Sequence, residues 1–263
     1  MGQRDRRAAS VSDRIGGRRP VIEALRAGRD ATRLWIADNA RPSPELKELL
    51  AAARERSVEP EWVDPQQLAR VAGFDGHQGV LLEVGERHYD ELPDILASAP
   101  PTGAAPFILL LEHLQDPTNF GTLLRSAEAA GVDAVVFPER GAAPLSAAAV
   151  KASAGASEHL ALARVGSVGA AIHELKVRGL RLVAADQDAP ATAWEADLTG
   201  PIAVVVGSEG SGLSGATKRR CDVIVSFPMA GRVASLNAAT AGALLLFEVV
   251  RQRLALESDS APT

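Results

Sequence analysis

The stretch QDPTNFGTLLRSAEAAG, residues 115–131, decides how the C-terminal half of the chain reads. It opens on Asp-Pro-Thr-Asn, a helix start with Asp116 and Asn119 as candidate caps and Pro117 in the first turn. It then sets a cation, Arg125, among leucines and alanines about a turn and a half further in. A plain amphipathic helix needs none of this, although a capped helix with a snorkelling arginine would look the same. The stretch follows FILLLEHL, a continuous apolar run that reads as a buried strand. Open α/β sheets keep their ligands where such a strand tip turns into a helix.

Working outward, the runs FILLLE, DAVVFP, HLALARV, LRLVAAD, IAVVVG and DVIVSF alternate with helical stretches. Near-continuous apolar strands spaced by helices predict a parallel sheet covered on both faces. Two further strand tips stand out. In VVVGSEGSGLS, residues 204–214, Gly207, Gly210 and Gly212 let the main chain wrap a ligand, with Glu209 held among them. The spacing G-x-x-G-x-G is neither the dinucleotide fingerprint nor a P-loop, and a tight connection with no ligand explains it equally well. In FPMAGRVASLNAATAG, residues 227–242, Pro228 and Gly231 bend the chain, and Ser235 and Asn237 precede a long apolar helix. Capping accounts for Ser235 and less readily for Asn237. The three tips together bring an arginine, a carboxylate, a serine and two asparagines to one sheet edge beside Gly-rich main chain, which predicts a ligand site.

The N-terminal half carries a different pattern. Residues 1–11 read as a disordered basic tail, and 12–86 as a small α/β domain: VIEALRAG is a helix closed by Gly28, RLWIA a strand, and SPELKELLAAARER a helix capped by Ser43, followed by VEPEWV and GVLLEV as strands. The Pro-, Gly- and Ala-rich stretch near residues 97–106 places a linker at 87–105. The second domain then spans 106–255, with a disordered tail at 256–263. Net charge is −5, but residues 1–33 hold nine arginines against four acids, a local +5 that leaves −10 on the rest. A basic arm on an acidic body suits a polyanionic partner, and a solvated tail explains it as well. No apolar run approaches the roughly 20 residues of a membrane span. The single cysteine, Cys221, suits a reducing cytoplasm.

The three tips resemble, in order and in register, the three motifs of the SpoU (TrmH-like) branch of the SPOUT methyltransferases, which are S-adenosylmethionine-dependent RNA ribose 2′-O-methyltransferases. The motifs cover most of residues 106–254. The first half, through GRRPVIEALRAG and GHQGVLLEV, is similar to the L30e-like RNA-binding domain of that branch's 23S ribosomal RNA guanosine methyltransferases. The resemblance implies a parallel-sheet SPOUT domain tied in a deep trefoil knot. It also implies a homodimer whose active site borrows residues across the interface, with S-adenosyl-L-methionine as cofactor and RNA as partner. Two positions depart from the pattern: Glu112 stands where an aspartate is common, and Ala238-Ala239 where Val-Ser is usual.

The catalytic set implied is Asn119, Arg125, Glu209, Ser235 and Asn237, with Gly207, Phe227, Met229 and Leu236 against the cofactor. Because a guanidinium keeps its proton, Arg125 is expected to steady a developing alkoxide and grip a phosphate rather than act as a base. Asn119 is expected to position Arg125 or the ribose, and Glu209 to hold Arg125 or the loops. Arg18 and Arg19, with Arg125, are the expected RNA contacts. The five histidines (77, 88, 113, 159 and 173) show no i, i+4 pair or cysteine partner, so no metal is expected. Trp35, Trp62 and Trp194 read as packing residues. The turn GHQG at 76–79 either touches RNA or simply precedes a strand. A guanosine of 23S ribosomal RNA is the favoured substrate. The alternatives are an adenosine of the ribosomal GTPase centre, transfer RNA, an RNA-binding module without catalysis, and a nicotinamide enzyme; the last lacks the G-x-G-x-x-G turn.

Overall fold

The computed structural model describes residues 13–98, 105–232 and 235–260. The chain divides into two compact units, one formed by the chain as far as His88 together with Ala154–His159, the other by Tyr89–Ser153 and everything from Leu160 onward. The basic tail expected at residues 1–11 lies outside the described residues.

In the first unit the elements run β1 (Asp13–Gly16), α1 (Arg18–Arg26), β2 (Ala31–Ala37), α2 (Pro44–Glu55), β3 (Pro60–Val63), α3 (Pro65–Ala72) and β4 (Val80–Val84). The sheet order is β1-β4-β2-β3, antiparallel except for the β2–β3 pair. Ser43 caps α2, its Oγ accepting from Leu46 N at 3.2 Å. The N-cap of α1, Gly17, has no side chain to offer, so the GHQG turn serves instead: Gln78 Oε1 accepts from Arg18 N at 2.9 Å, and His77 O from Gly17 N at 3.1 Å. Gln78 adopts φ +53° to do so, an uncommon conformation for a residue with a Cβ. That motif therefore has a structural reason to exist without RNA.

The second unit contains α4 (Leu92–Ala97), β5 (Phe107–Leu111), α5 (Pro117–Ala129), β6 (Ala134–Pro138), α6 (Ala147–Ala152), β7 (Ala161–Val165), α7 (Val168–Val177), β8 (Arg181–Ala185), β9 (Ala191–Thr192), β10 (Ile202–Val206), α8 (Gly215–Lys218), β11 (Val223–Ser226) and α9 (Ala238–Ser260). Its strands pair in the order β7-β6-β5-β10-β8-β11-β9, parallel throughout. All six strands read from the sequence are present; β9, two residues at the sheet edge, carries too short a pattern to be seen. β5, β6 and β10 are buried at every position, as a sheet covered on both faces requires. One face packs Phe120, Leu123 and Leu124 of α5 and Leu245, Leu246 and Val249 of α9. The other packs Ala171, Ile172 and Leu175 of α7. Strand order reverses between β5 and β10, so the tips of β5, β10 and β8 flank the crevice where such sheets bind ligands.

Two boundaries read from sequence are corrected. The stretch taken as a linker at 87–105 holds α4, whose Leu92 is buried against this core, and Asp90 Oδ2 accepts from Leu162 N at 3.1 Å; residues 99–104 lie outside the described residues. The tail expected from 256 is instead the end of α9, which continues to Ser260. No helix among the described residues is long and apolar enough to cross a membrane.

Candidate active site

The first tip is built around the start of α5. Asp116 Oδ1 accepts from Thr118 N at 2.6 Å and Asn119 N at 3.1 Å, with Pro117 in the first turn. These bonds hold the Asp116 carboxyl below its usual range. Gly121 has a packing reason, not a ligand one: a Cβ there would lie 2.2 Å from Ala149 O and 2.6 Å from Ala152 Cβ of α6.

The second tip is a closed loop after β10. Ser208 and Gly212 exchange main-chain hydrogen bonds at 3.0 and 3.1 Å. A Cβ on Gly207 would sit 2.3 Å from Gly212 C and 2.5 Å from Leu213 N, so this glycine is demanded by the loop's own return. A Cβ on Gly210 meets nothing within 4 Å. Glu209 reaches back to the first tip, accepting from Asp116 N at 3.0 Å, Gln115 N at 3.3 Å and Asn119 Nδ2 at 3.2 Å. Burial pushes its carboxyl upward, but the bonds from its own amide, Asp116, Asn119 and Gln115 outweigh that and hold it below the usual range. Glu112, the departure from the family pattern, is buried and makes the opposite tie. It accepts from Thr217 Oγ1 at 2.7 Å and Ser214 N at 3.0 Å, fixing the loop's exit.

The third tip joins the same network. Asn237 is the cap of α9, Oδ1 accepting from Ala239 N at 2.9 Å and Thr240 N at 3.3 Å, so capping explains this residue after all. Its Nδ2 also donates to Asn119 Oδ1 at 3.1 Å. One chain of hydrogen bonds, Glu209–Asn119–Asn237, therefore links all three tips. Neither Asn119 nor Glu209 touches Arg125. That side chain is exposed and makes no hydrogen bond or ion pair with the described residues.

Beside this network lies a cavity of about 300 Å³. Gly207, Glu209, Phe227, Met229, Ser235 and Leu236 all line it; Asn119, Arg125 and Asn237 do not. Sequence reasoning missed Asp186, Asp188 and Lys218, which line it too. The signal was available, because Asp186 directly follows β8 in LVAADQD, another strand tip. Trp194 is 58% exposed, with its ring edge-on to Phe227 at 5.3 Å. Trp62 is 51% exposed, so only Trp35 is a buried packing residue. Burial pushes the Cys221 thiol up to about 11, which excludes a ready nucleophile. Among the described residues no cluster of His, Cys, Asp or Glu could hold a metal.

The two expected RNA contacts of the first unit are engaged within it. Arg18 donates to Ser43 Oγ at 2.6 Å and Arg41 O at 3.0 Å. Arg19 pairs with Glu48 at 3.3 Å. Both border a shallow groove that also takes in Asn39, Arg41 and Gln78. The local charge of +5 is thus partly answered from outside its own window, by Glu48 and by Glu158, which contacts Arg29 at 3.8 Å.

A family model described as the SpoU rRNA Methylase family matches residues 106–247, and one described as RNA 2′-O ribose methyltransferase substrate binding matches residues 14–90. YacO of Bacillus subtilis, assigned to the TrmH family of tRNA/rRNA methyltransferases, is 36% identical over 92% of this chain and 96% of its own. An uncharacterized tRNA/rRNA methyltransferase of Mycolicibacterium vanbaalenii is 38% identical over 90% of this chain and 76% of its own. Among solved structures, the SpoU methyltransferase AviRb of Streptomyces viridochromogenes in complex with AdoMet superposes with a TM-score of 0.76 at 28% identity, covering 97% of this chain and 95% of that one.

Proposed function

The chain belongs to the SpoU rRNA methylase family, and from that premise we propose that it methylates the ribose 2′-hydroxyl of a guanosine in 23S ribosomal RNA. It is an S-adenosylmethionine-dependent RNA methyltransferase. The observation that carries the reading is the Glu209–Asn119–Asn237 chain beside a cavity open to main chain. The cavity has the size of small-molecule sites, about 300–1,000 Å³. Phe227, Met229 and Leu236 offer apolar faces for a heterocycle, and the loop at Gly210 has room for a ligand to approach the backbone.

When bound, the cofactor supplies a methyl group already activated on a sulfonium. The protein's part is to orient a hydroxyl and stabilise the charge that develops on it. In this reading Gly207, Phe227, Met229 and Leu236 hold the cofactor, and Ser235 extends the polar lining. Asn119, Glu209 and Asn237 hold the three loops in one arrangement. Arg125 donates to the developing alkoxide and to a neighbouring phosphate. Its guanidinium has no partner among the described residues, which fits a site completed across a homodimer. Leu244, Phe247 and Leu254 form an exposed apolar stripe on α9, at helical spacing, that fits such an interface. The family's trefoil knot and a cytoplasmic location belong to the same proposal.

The guanosine assignment rests on the resemblance of the N-terminal unit to the guanosine methyltransferases of the SpoU branch. Mapping methylated riboses in ribosomal RNA from cells with and without the protein tests it. A single guanosine losing its methyl group is the expected result. Loss at an adenosine of the GTPase centre or in transfer RNA replaces the substrate while leaving the reaction, and loss nowhere removes both.

A further inference from the structure

Among the described residues, four charged side chains line the cavity: Asp186, Asp188, Glu209 and Lys218. The Lys218 ammonium is in direct contact with the Asp186 carboxylate, so these two offset each other. Asp186 Oδ1 also accepts from Asp188 N at 3.0 Å. That bond shapes the turn after β8 and leaves the Asp188 carboxylate, which is exposed, with no hydrogen bond or ion pair among the described residues. Glu209 takes its hydrogen bonds from main-chain N–H groups and the Asn119 amide, all uncharged. Three carboxylates therefore face one cation, and the lining carries a net charge of −2.

Resting on the cofactor assignment above, we propose that this lining separates S-adenosylmethionine from its demethylated product by charge, with Asp188 the principal discriminating residue. The two ligands are nearly the same shape. They differ by one methyl group and by the positive charge of the sulfonium, which the product thioether lacks. Apolar contacts and hydrogen bonds to the adenosine and the amino acid treat the two alike, whereas a fixed negative charge stabilises only the sulfonium form. Asp188 is the suitable agent because no hydrogen bond or ion pair among the described residues holds its carboxylate. The field of Asp188 reaches the cavity wall: Lys218 is held above its usual range first by its bond to Asp186 and, less strongly, by the charge of Asp188. Weaker retention of the product lets the spent cofactor leave, so the same charge that favours loading favours turnover.

A charge acting across a cavity of this size, partly screened by water, changes affinity by roughly 3- to 10-fold. The test is calorimetry on the full chain with S-adenosylmethionine and with S-adenosylhomocysteine, for wild type and Asp188→Asn. The asparagine keeps the turn, because the turn's acceptor is Asp186. Wild type is expected to bind the sulfonium form more tightly, with a preference that shrinks on adding salt. Asp188→Asn is expected to lose 3- to 10-fold for the sulfonium form and nothing for the product, whose unchanged binding shows that the fold is intact. Equal losses for both ligands, or an unchanged ratio, overturns the proposal. If wild type binds neither ligand, the cofactor assignment itself fails and takes this proposal with it.

Discussion

The cavity of the C-terminal unit and the groove of the N-terminal unit both gather polar side chains beside a turn, yet they use them in opposite ways. At the cavity the conspicuous residues bind one another. Glu209 holds the first tip, Asn119 holds Asn237, and Asn237 caps α9. The cavity wall is then main chain, apolar side chains and the charged Asp186, Asp188, Glu209 and Lys218, while Arg125 stands outside it with no partner among the described residues. At the groove the conspicuous residues are two arginines, and both are committed to neighbours. Arg41 and Asn39, which no motif singled out, are the groups left over. In both regions a residue that stands out in the sequence has internal work, so accounting for partners locates the ligand face better than counting charges.

The sharpest way to break the account of the cavity is through its glycines. Gly207→Val puts carbon atoms within 2.5 Å of the Gly212 and Leu213 backbone, so the loop must open. Cofactor binding is expected to vanish by calorimetry, with a measurable fall in Tm. Gly210→Ala adds a methyl that meets none of the described residues within 4 Å. It is expected to leave Tm unchanged and to weaken binding about tenfold, since only a ligand can meet it. Unchanged affinity in both variants would place the cofactor elsewhere.

The next effect in size concerns Arg125, whose guanidinium has no partner among the described residues. Removing a donor that stabilises a developing oxyanion slows turnover by about 10²–10³-fold. Arg125→Ala is therefore expected to lose that much in kcat while cofactor affinity stays within twofold. Arg125→Lys is expected to recover little, because an ammonium does not reproduce the guanidinium fork. Methylation near wild type in the lysine variant would remove the two-pronged role.

These two tests separate what was legible in the sequence from what was not. The parallel sheet and the three tips were legible because apolar runs of five residues between helices leave few alternatives. The reasons behind single residues were not. Gly121 belongs to the first tip, yet its missing side chain makes room for α6, a contact made with residues about 30 positions away. Asn237 looked functional and is also a cap, because α9 begins at Ala238, two residues later than a cap at Ser235 would place it. Of the two partners open to Glu209, Arg125 or the loops, the structure has the loops: side chains at positions 119 and 125 project about 120° apart on a helix, and the network forms around Asn119. Asp188 lacked any motif.

Asn237→Asp sharpens the comparison further, at smaller cost. The carboxylate still accepts from Ala239 N and Thr240 N, so the cap, worth typically about 1 kcal/mol, survives. The donor to Asn119 Oδ1 is lost, and two oxygens face each other instead. Turnover is expected to fall about tenfold with Tm unchanged, whereas Asn237→Ala loses both. The Glu209 tie predicts a pH dependence of the same network. Its carboxyl is held below the usual range, so the stabilisation is present above the unfolded-state value and is lost as pH falls through the folded-state one. Cofactor affinity is expected to stay level from neutral pH to the ordinary carboxylate range and to drop only in stronger acid.

The smallest effects are expected at the groove, where they decide whether partner accounting also works for RNA. Arg41 is exposed, its guanidinium engages none of the described residues, and only its carbonyl is in use, by Arg18. If it meets a phosphate, Arg41→Ala costs one counterion-releasing contact. RNA affinity is expected to fall a few-fold at moderate salt, and the slope of log K against log salt to flatten by about 0.7–0.9, with no change in Tm. Arg18 holds Ser43 Oγ and Arg41 O, so Arg18→Ala removes two hydrogen bonds and is expected to lower Tm. Its effect on RNA is then carried largely through the fold. Titrating RNA against salt alongside thermal melts distinguishes the two. Flattening of the slope by Arg18→Ala without loss of Tm would show that this arginine is released from its internal partners to meet RNA. No change of slope in either variant would move the RNA-gripping surface away from the groove altogether.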